Sequence, residues 1–359
     1  MQRDFHHTVI YVLSRLAGMK SRDAEVVAYC SQQVDDAVFD HALKFQNGGA
    51  FWQTRTAHRK LSPRIFRVGD AFKVWLPFHF LPRGGTKELS QALITSPEGR
   101  SLELLKEDLL LEPERPYNLH RLGIFLHVYA DSFSHQDFKG YYDEHNDIIL
   151  ISGREQKNLR KRIRDKVLKT FSFLAPIGHG QALHNPDIPF VRWSYRRPKG
   201  PVIEVDNLTE RFIPALDKIY SFLGEYLDHH PRFRSHNSVP LAGPVRDNML
   251  KLLQVRKSSR ARHRLWLKEI AANKFQLPGF NQRDTTLNYE PRAWFRKAVL
   301  AIDAGGLKDR LETSTYNFHY FRKRKNFASS SWVLFMRAAA LHRDRVLNQI
   351  LPGAGLDIT

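Results

Sequence analysis

The chain has 359 residues, and its 56 Lys and Arg against 37 Asp and Glu give a formal net charge of +19. A single cysteine, Cys30, excludes an intrachain disulfide and a cysteine-based zinc site, so a metal would have to be held by His, Asp or Glu. The charge favours an anionic partner such as nucleic acid, lipid headgroups or a phosphorylated substrate, and the 42% hydrophobic content suffices for a sizeable core.

The N-terminal stretch MQRDFHHTVIYVLSRLAG has no long apolar run and no small-residue cleavage site, so it does not read as a signal peptide. No run of about 18 apolar residues follows, so no transmembrane helix is expected and the chain reads as cytoplasmic. A first helix is predicted over 4–17, capped by Asp4, with Phe5, Val9, Leu13 and Leu16 on one face and Gly18 ending it. Ser21 starts a second helix to about His41, with Ala24, Val27, Val34 and Val38 inward. Residues 42–85 (NGGAFW, LSPRIF, LPFHFLPRGG) show no sustained period and read as a long structured loop with short extended pieces. Residues 86–111 read as helical in parts, broken around SPEG.

The segment LHRLGIFLHVYADSFSHQ, 119–136, carries the strongest chemical signal. His127, Asp131 and His135 are spaced i, i+4, i+8, which stacks them on one helix face. Imidazole and carboxylate are the ligands of zinc and related divalent ions. Three interpretations compete: metal ligation, a buried His–Asp hydrogen-bond network and a solvated face. Leu122, Phe125, Leu126, Val128, Tyr129 and Phe133 make the helix apolar nearly all round, and a charge buried there is costly unless paired or bound to metal.

Beyond it, QDFKGYYDEHND is a loop, 153–170 a strongly basic helix and 171–203 loop-like. Asn207 caps a helix to about Leu227, an amphipathic region covers 243–274, and 291–350 is mostly helical. There is no βαβ alternation, GxGxxG turn or Walker A loop, so a nucleotide-binding α/β fold is not expected. The expected fold is mainly α, a multi-helix bundle with long structured loops. Residues 1–230 are expected to form a metal-binding helical domain, the span of the likeness described below, and 231–359 a basic helical extension packed on it.

Further ligands must come from other segments. His6 and His7 open the first helix, Asp35 and Asp36 lie late in the second, and His41, His58 and His79 follow. His179, His184 and Asp187 stand in GHGQALHNPD. Asp35 and Asp36 point about 100° apart on a helix, so one of them is expected to serve, and Asp36 is the choice. Asp187 suits an acceptor that orients a ligand histidine.

The order of these residues resembles the zinc-dependent phospholipase C superfamily, which includes single-strand nucleases, and an uncharacterised bacterial family related to it. The likeness rests on DFHHTVIYVLSRLAG, YCSQQVDDA, LGIFLHVYADSFSHQDFKG and GHG…PD, within residues 1–230. It implies a helical bundle of that type and zinc-dependent hydrolysis of phosphodiesters. By position it implies His6 or His7, Asp36, His79, His127, Asp131, His135 and His179 as metal ligands, with Asp131 bridging. The step from Asp131 to His135 is shorter than in that superfamily, its later HxxxE pair is absent, and Met1 stands where its secreted enzymes have a ligating tryptophan. One or two zinc ions are therefore expected rather than three. Asp36, if not a ligand, is the expected proton acceptor from water. The anionic substrate would be nucleic acid or phospholipid. The competing expectation is a basic nucleic-acid-binding or interaction protein with a structural or vestigial metal site. There, Trp193, Tyr195, Trp266, Tyr320 and Phe321 would stack bases beside the basic stretches 154–169, 256–264 and 322–325.

Overall fold

The computed structural model describes residues 1–58, 68–154, 178–302 and 320–357. Its axis is the helix Asn118–Ser134, buried at every position from His120 to Ser134. The second helix, Ser21–Asp36, crosses it at Gly123, where an added Cβ would meet Cys30 Cβ at 2.4 Å and the Val27 carbonyl oxygen at 2.5 Å. Only glycine lets the two backbones approach this closely. Gly123→Ala should therefore destabilise the fold by about 1–3 kcal/mol, the usual cost of overpacking, measurable by chemical denaturation. A variant as stable as the parent would mean that the crossing is looser than drawn.

The first helix, Ile10–Leu16, is entered through a wide π-type turn, Asp4–Val9. Helix Ile213–His229 packs across both the first and the central helix, and helix Ser331–Arg345 flanks the central one. The main apolar core draws on Phe5, Leu126, Phe222, Trp266 and Leu356 alike. Two buried ion pairs tie residues beyond 230 to the first helix and its entry turn: Arg262 to Asp4, at 2.6 Å, and Asp284 to Arg15, at 2.9 Å. Among the described residues no helix is long and apolar enough to cross a membrane.

The expected all-helical bundle of the phospholipase C type is overturned, because two antiparallel or mixed sheets are present. The first contains β1 (Ala42–Phe45) and β2 (Ala50–Trp52), and the second begins with β3 (Ile149–Ser152). Strands β4 (Arg192–Arg196) and β5 (Val202–Asp206) complete the second sheet in the order β3-β4-β5. Strands β6 (Val299–Ala301) and β7 (Tyr320–Lys323) complete the first in the order β2-β1-β7-β6, with β1 and β7 parallel. The reason is local. Gly48 and Gly49, at φ +86° and +80°, make the reversal that pairs β1 with β2. In β4 the side chains of Trp193, Ser194 and Tyr195 are covered while the ends are exposed. Segments too short to show a helical period thus pair as strands. The second helix also stops at Asp36, short of His41. The expected basic helix over 153–170 falls, from residue 155 on, outside the described residues.

His120, fully buried on the central helix beside the Trp294 ring, has neither ring nitrogen bonded. Burial lowers its pKa to about 3. The folded value lies below the unfolded one of 6.5, so the neutral ring stabilises the fold above pH 6.5, and this is lost as pH falls from 6.5 towards 3. The slope is about 1.4 kcal/mol per pH unit. In His120→Leu this contribution to acid lability should vanish from denaturation curves taken between pH 6.5 and 4. An unchanged pH slope would show that the ring is hydrated.

Candidate metal centre

Five histidines and three carboxylates gather where the central helix meets the entry turn, the second helix and two loops. Three triads each bring their ligand atoms within 4.8 Å of one another: His6 with His127 and Asp131, Asp35 with His79 and His127, and His135 with His179 and Asp187.

The tautomers are fixed from behind. His127 Nδ1 donates to the Ser31 carbonyl at 2.8 Å, and His79 Nε2 donates to the Thr56 carbonyl at 2.9 Å. His135 Nδ1 donates to the His79 carbonyl and His179 Nδ1 to the Leu183 carbonyl, each at 2.9 Å. A carbonyl oxygen only accepts, so the proton of each neutral ring sits on the far nitrogen and a lone pair faces the cluster. Ligand histidines are commonly oriented by such an outer hydrogen bond.

At the centre, His127 Nε2, His79 Nδ1 and Asp131 Oδ2 stand 3.1 Å from one another on every side. Three lone-pair atoms at that spacing repel unless a cation or proton lies among them. Ligands bound tetrahedrally at about 2.1 Å from zinc are ~3.4 Å apart, so the spacing fits a shared ion. His6 adds a second sign. Its Nε2 lies 3.1 Å from Asp131 Oδ1, yet neither of its ring nitrogens makes a hydrogen bond. The atoms are close but not aimed at each other, as two ligands of one ion are.

Electrostatics favour positive charge among these groups: burial opposes protonation of His127, but Asp131 and Asp35 raise its pKa. Burial would raise the Asp131 pKa, but the Met1 ammonium, His135, His127 and His6 hold it well below the usual carboxylate range. Burial also opposes ionisation of Asp187, and the Met1 ammonium and His179 overcome it. Burial, with repulsion from His127 and Met1, keeps His6 neutral, and burial lowers His179 to about 4. The Met1 nitrogen contacts Asp131, Ser134 at 3.0 Å and Asp187 at 3.2 Å. Burial alone would lower the pKa of that amine, but Asp131 and Asp187 raise it to about 10. The space between the two carboxylates therefore selects a cation. Asp35, with its side chain 36% exposed, is the member that meets solvent.

The structure thus brings together His6, His79, His127, Asp131, His135 and His179. It does not bring in His7 or Asp36. His7 turns away, with Nδ1 3.0 Å from His263 Nε2, because successive residues of the turn point in different directions. Asp36 accepts from the Tyr289 hydroxyl at 2.6 Å and from the Gln32 amide at 3.2 Å. The carboxylate that the second helix sends to the cluster is Asp35, 3.9 Å from His127 Nε2. Asp187, expected only to orient a histidine, is itself a triad member, 3.2 Å from His135 Nε2. His41, His58 and His184 belong to none of the three triads found among the described residues. Of the aromatics suggested as base-stacking platforms, Trp193, Tyr195, Trp266 and Phe321 are buried.

A family described only as being of unknown function, DUF6765, matches residues 1–350. The chain belongs to that family, and the matched range includes every residue of the candidate centre. No curated protein and no solved structure matches it.

Proposed function

We propose that the chain is a metal-dependent hydrolase acting on phosphodiester bonds, with zinc held at the histidine–aspartate cluster. The observation that carries this is the triangle of His79, His127 and Asp131, whose three lone-pair atoms converge at 3.1 Å with their tautomers pinned from behind. One ion would be held there with His6, and a second by His135, His179 and Asp187. Bound divalent ions supply acidified water and charge neutralisation at a phosphoryl group.

The chain's own residues do the rest. Ser31, Thr56, His79 and Leu183 hold the imidazoles in register through their carbonyls. Asp35 stands at the solvent side, where it can take a proton from an entering water. The net charge of +19 raises the local concentration of a polyanionic substrate. The likeness in ligand order to the zinc-dependent phospholipase C superfamily supports the reaction class. The buried aromatics take away most of the suggested stacking platform for a pure nucleic-acid-binding role.

The test is a hydrolysis screen of the zinc-loaded full chain against single-stranded DNA, RNA, phosphatidylcholine and a chromogenic diester. Turnover of at least one of these, abolished by chelator and restored by zinc, is expected. A zinc-loaded, folded chain that cleaves none of them would overturn the proposal.

A further inference from the structure

A second cluster of chemistry lies outside the metal triads. A cavity of about 540 Å³ is lined by Arg154, Arg192 and Arg256, together with Gln254, Phe190 and Asp206. The three arginines come from separate segments: the end of β3, strand β4 and the turn after helix Gly243–Leu253. Arg192 pairs with Asp206 at 2.7 Å. Among the described residues, neither Arg154 nor Arg256 has a carboxylate partner.

Three guanidiniums from separate segments, two of them without a carboxylate partner among the described residues, face one hollow, and this density of positive charge favours an anion there. This hollow is also organised. Arg154 lies over the Phe190 ring at 5.1 Å, and Arg262 over the same ring at 5.4 Å. Arg262 is buried and anchored to Asp4 and Gln2, and its Nη1 donates to the Lys257 carbonyl at 2.8 Å. Arg154 approaches that same carbonyl at 3.5 Å. The ring and its supports thus limit the positions open to the Arg154 side chain. Guanidinium forks match the oxygens of a phosphate group bidentately, and the Gln254 amide adds a neutral donor.

We propose that this cavity is a phosphate-binding site, taking free phosphate or the phosphate of a small organic ester, separate from the metal centre. The site goes beyond the hydrolase proposal and does not depend on it. Its test is calorimetric titration of the full chain, as purified and after chelator treatment, with inorganic phosphate in one arm and glycerol 3-phosphate in the other. Saturable binding that survives chelation is expected. It should weaken about tenfold in Arg154→Ala or Arg256→Ala and more steeply in the double variant, as expected for charge-assisted hydrogen bonds. Tighter binding of the ester than of inorganic phosphate would assign an organic ligand, and the reverse order free phosphate. Binding that disappears with chelation or in His127→Ala, or that the double arginine variant retains in full, would overturn the proposal. Circular dichroism of the exposed-residue variants confirms that they are folded. Absence of hydrolysis by the zinc-loaded chain, with phosphate binding intact, would count against the hydrolase proposal alone.

Discussion

His127→Ala should abolish metal-dependent phosphodiester hydrolysis, lowering it by about a thousandfold or more, the loss expected when several kcal/mol of metal-borne stabilisation disappear. His127 belongs to two of the three triads, and its Nε2 is one corner of the 3.1 Å triangle. Its ring also stacks on His6 with centroids 4.0 Å apart, so its removal loosens a second ligand. The measurement is zinc content by elemental analysis beside turnover of a chromogenic diester. His120→Leu serves as the control, because His120 lies two turns back on the same helix and touches none of the triads. Equal losses in both variants would show that the effect comes from the helix and not from the site.

Asp131→Asn should have the largest effect on stability. The carboxylate is 2% exposed and is faced by Met1, His6, His79 and His127. An amide of the same shape removes the charge and leaves the Met1 ammonium without its closest counterion. Breaking a buried pair from one side costs about 3–5 kcal/mol. Urea denaturation of the chelated variant against the chelated parent reads this directly. A difference within about 1 kcal/mol, the scale of an exposed ion pair, would mean that water reaches the pair and that the centre is open. Zinc should stabilise the parent and not the variant, since an ion that binds the folded state alone shifts the transition by mass action.

The part of this centre that was legible in the sequence is the part that lies on one regular element. His127 and Asp131 share a turn of a helix whose other residues are apolar, so both burial and direction follow from the pattern. His135 was found for the same reason, although it stands just past the helix as its C-terminal cap. The choice between Asp35 and Asp36 depended on the phase of the second helix. Val27, Cys30 and Ser31 face Gly123, and Asp35 follows Ser31 by one turn, so the stripe that meets the central helix leads to Asp35. Asp36 lies off that stripe, against Tyr289 and Gln32. His7 could not be separated from His6 by sequence, because what turns it away is His263, more than 250 residues distant. The Met1 amine was signalled only by the resemblance, which places an N-terminal ligand at that position. The sheets were missed because β1, β2 and β6 are only three or four residues long, with pairing partners scattered along the chain. The Gly48–Gly49 pair was the available sign.

Zinc titration of the chelated full chain, followed by calorimetry and elemental analysis, tests the central claim most directly. The triangle of His79, His127 and Asp131 predicts uptake of at least one zinc ion per chain, with uptake reduced in His127→Ala. A folded chain that takes up no zinc, with the three groups sharing a proton instead, would contradict it.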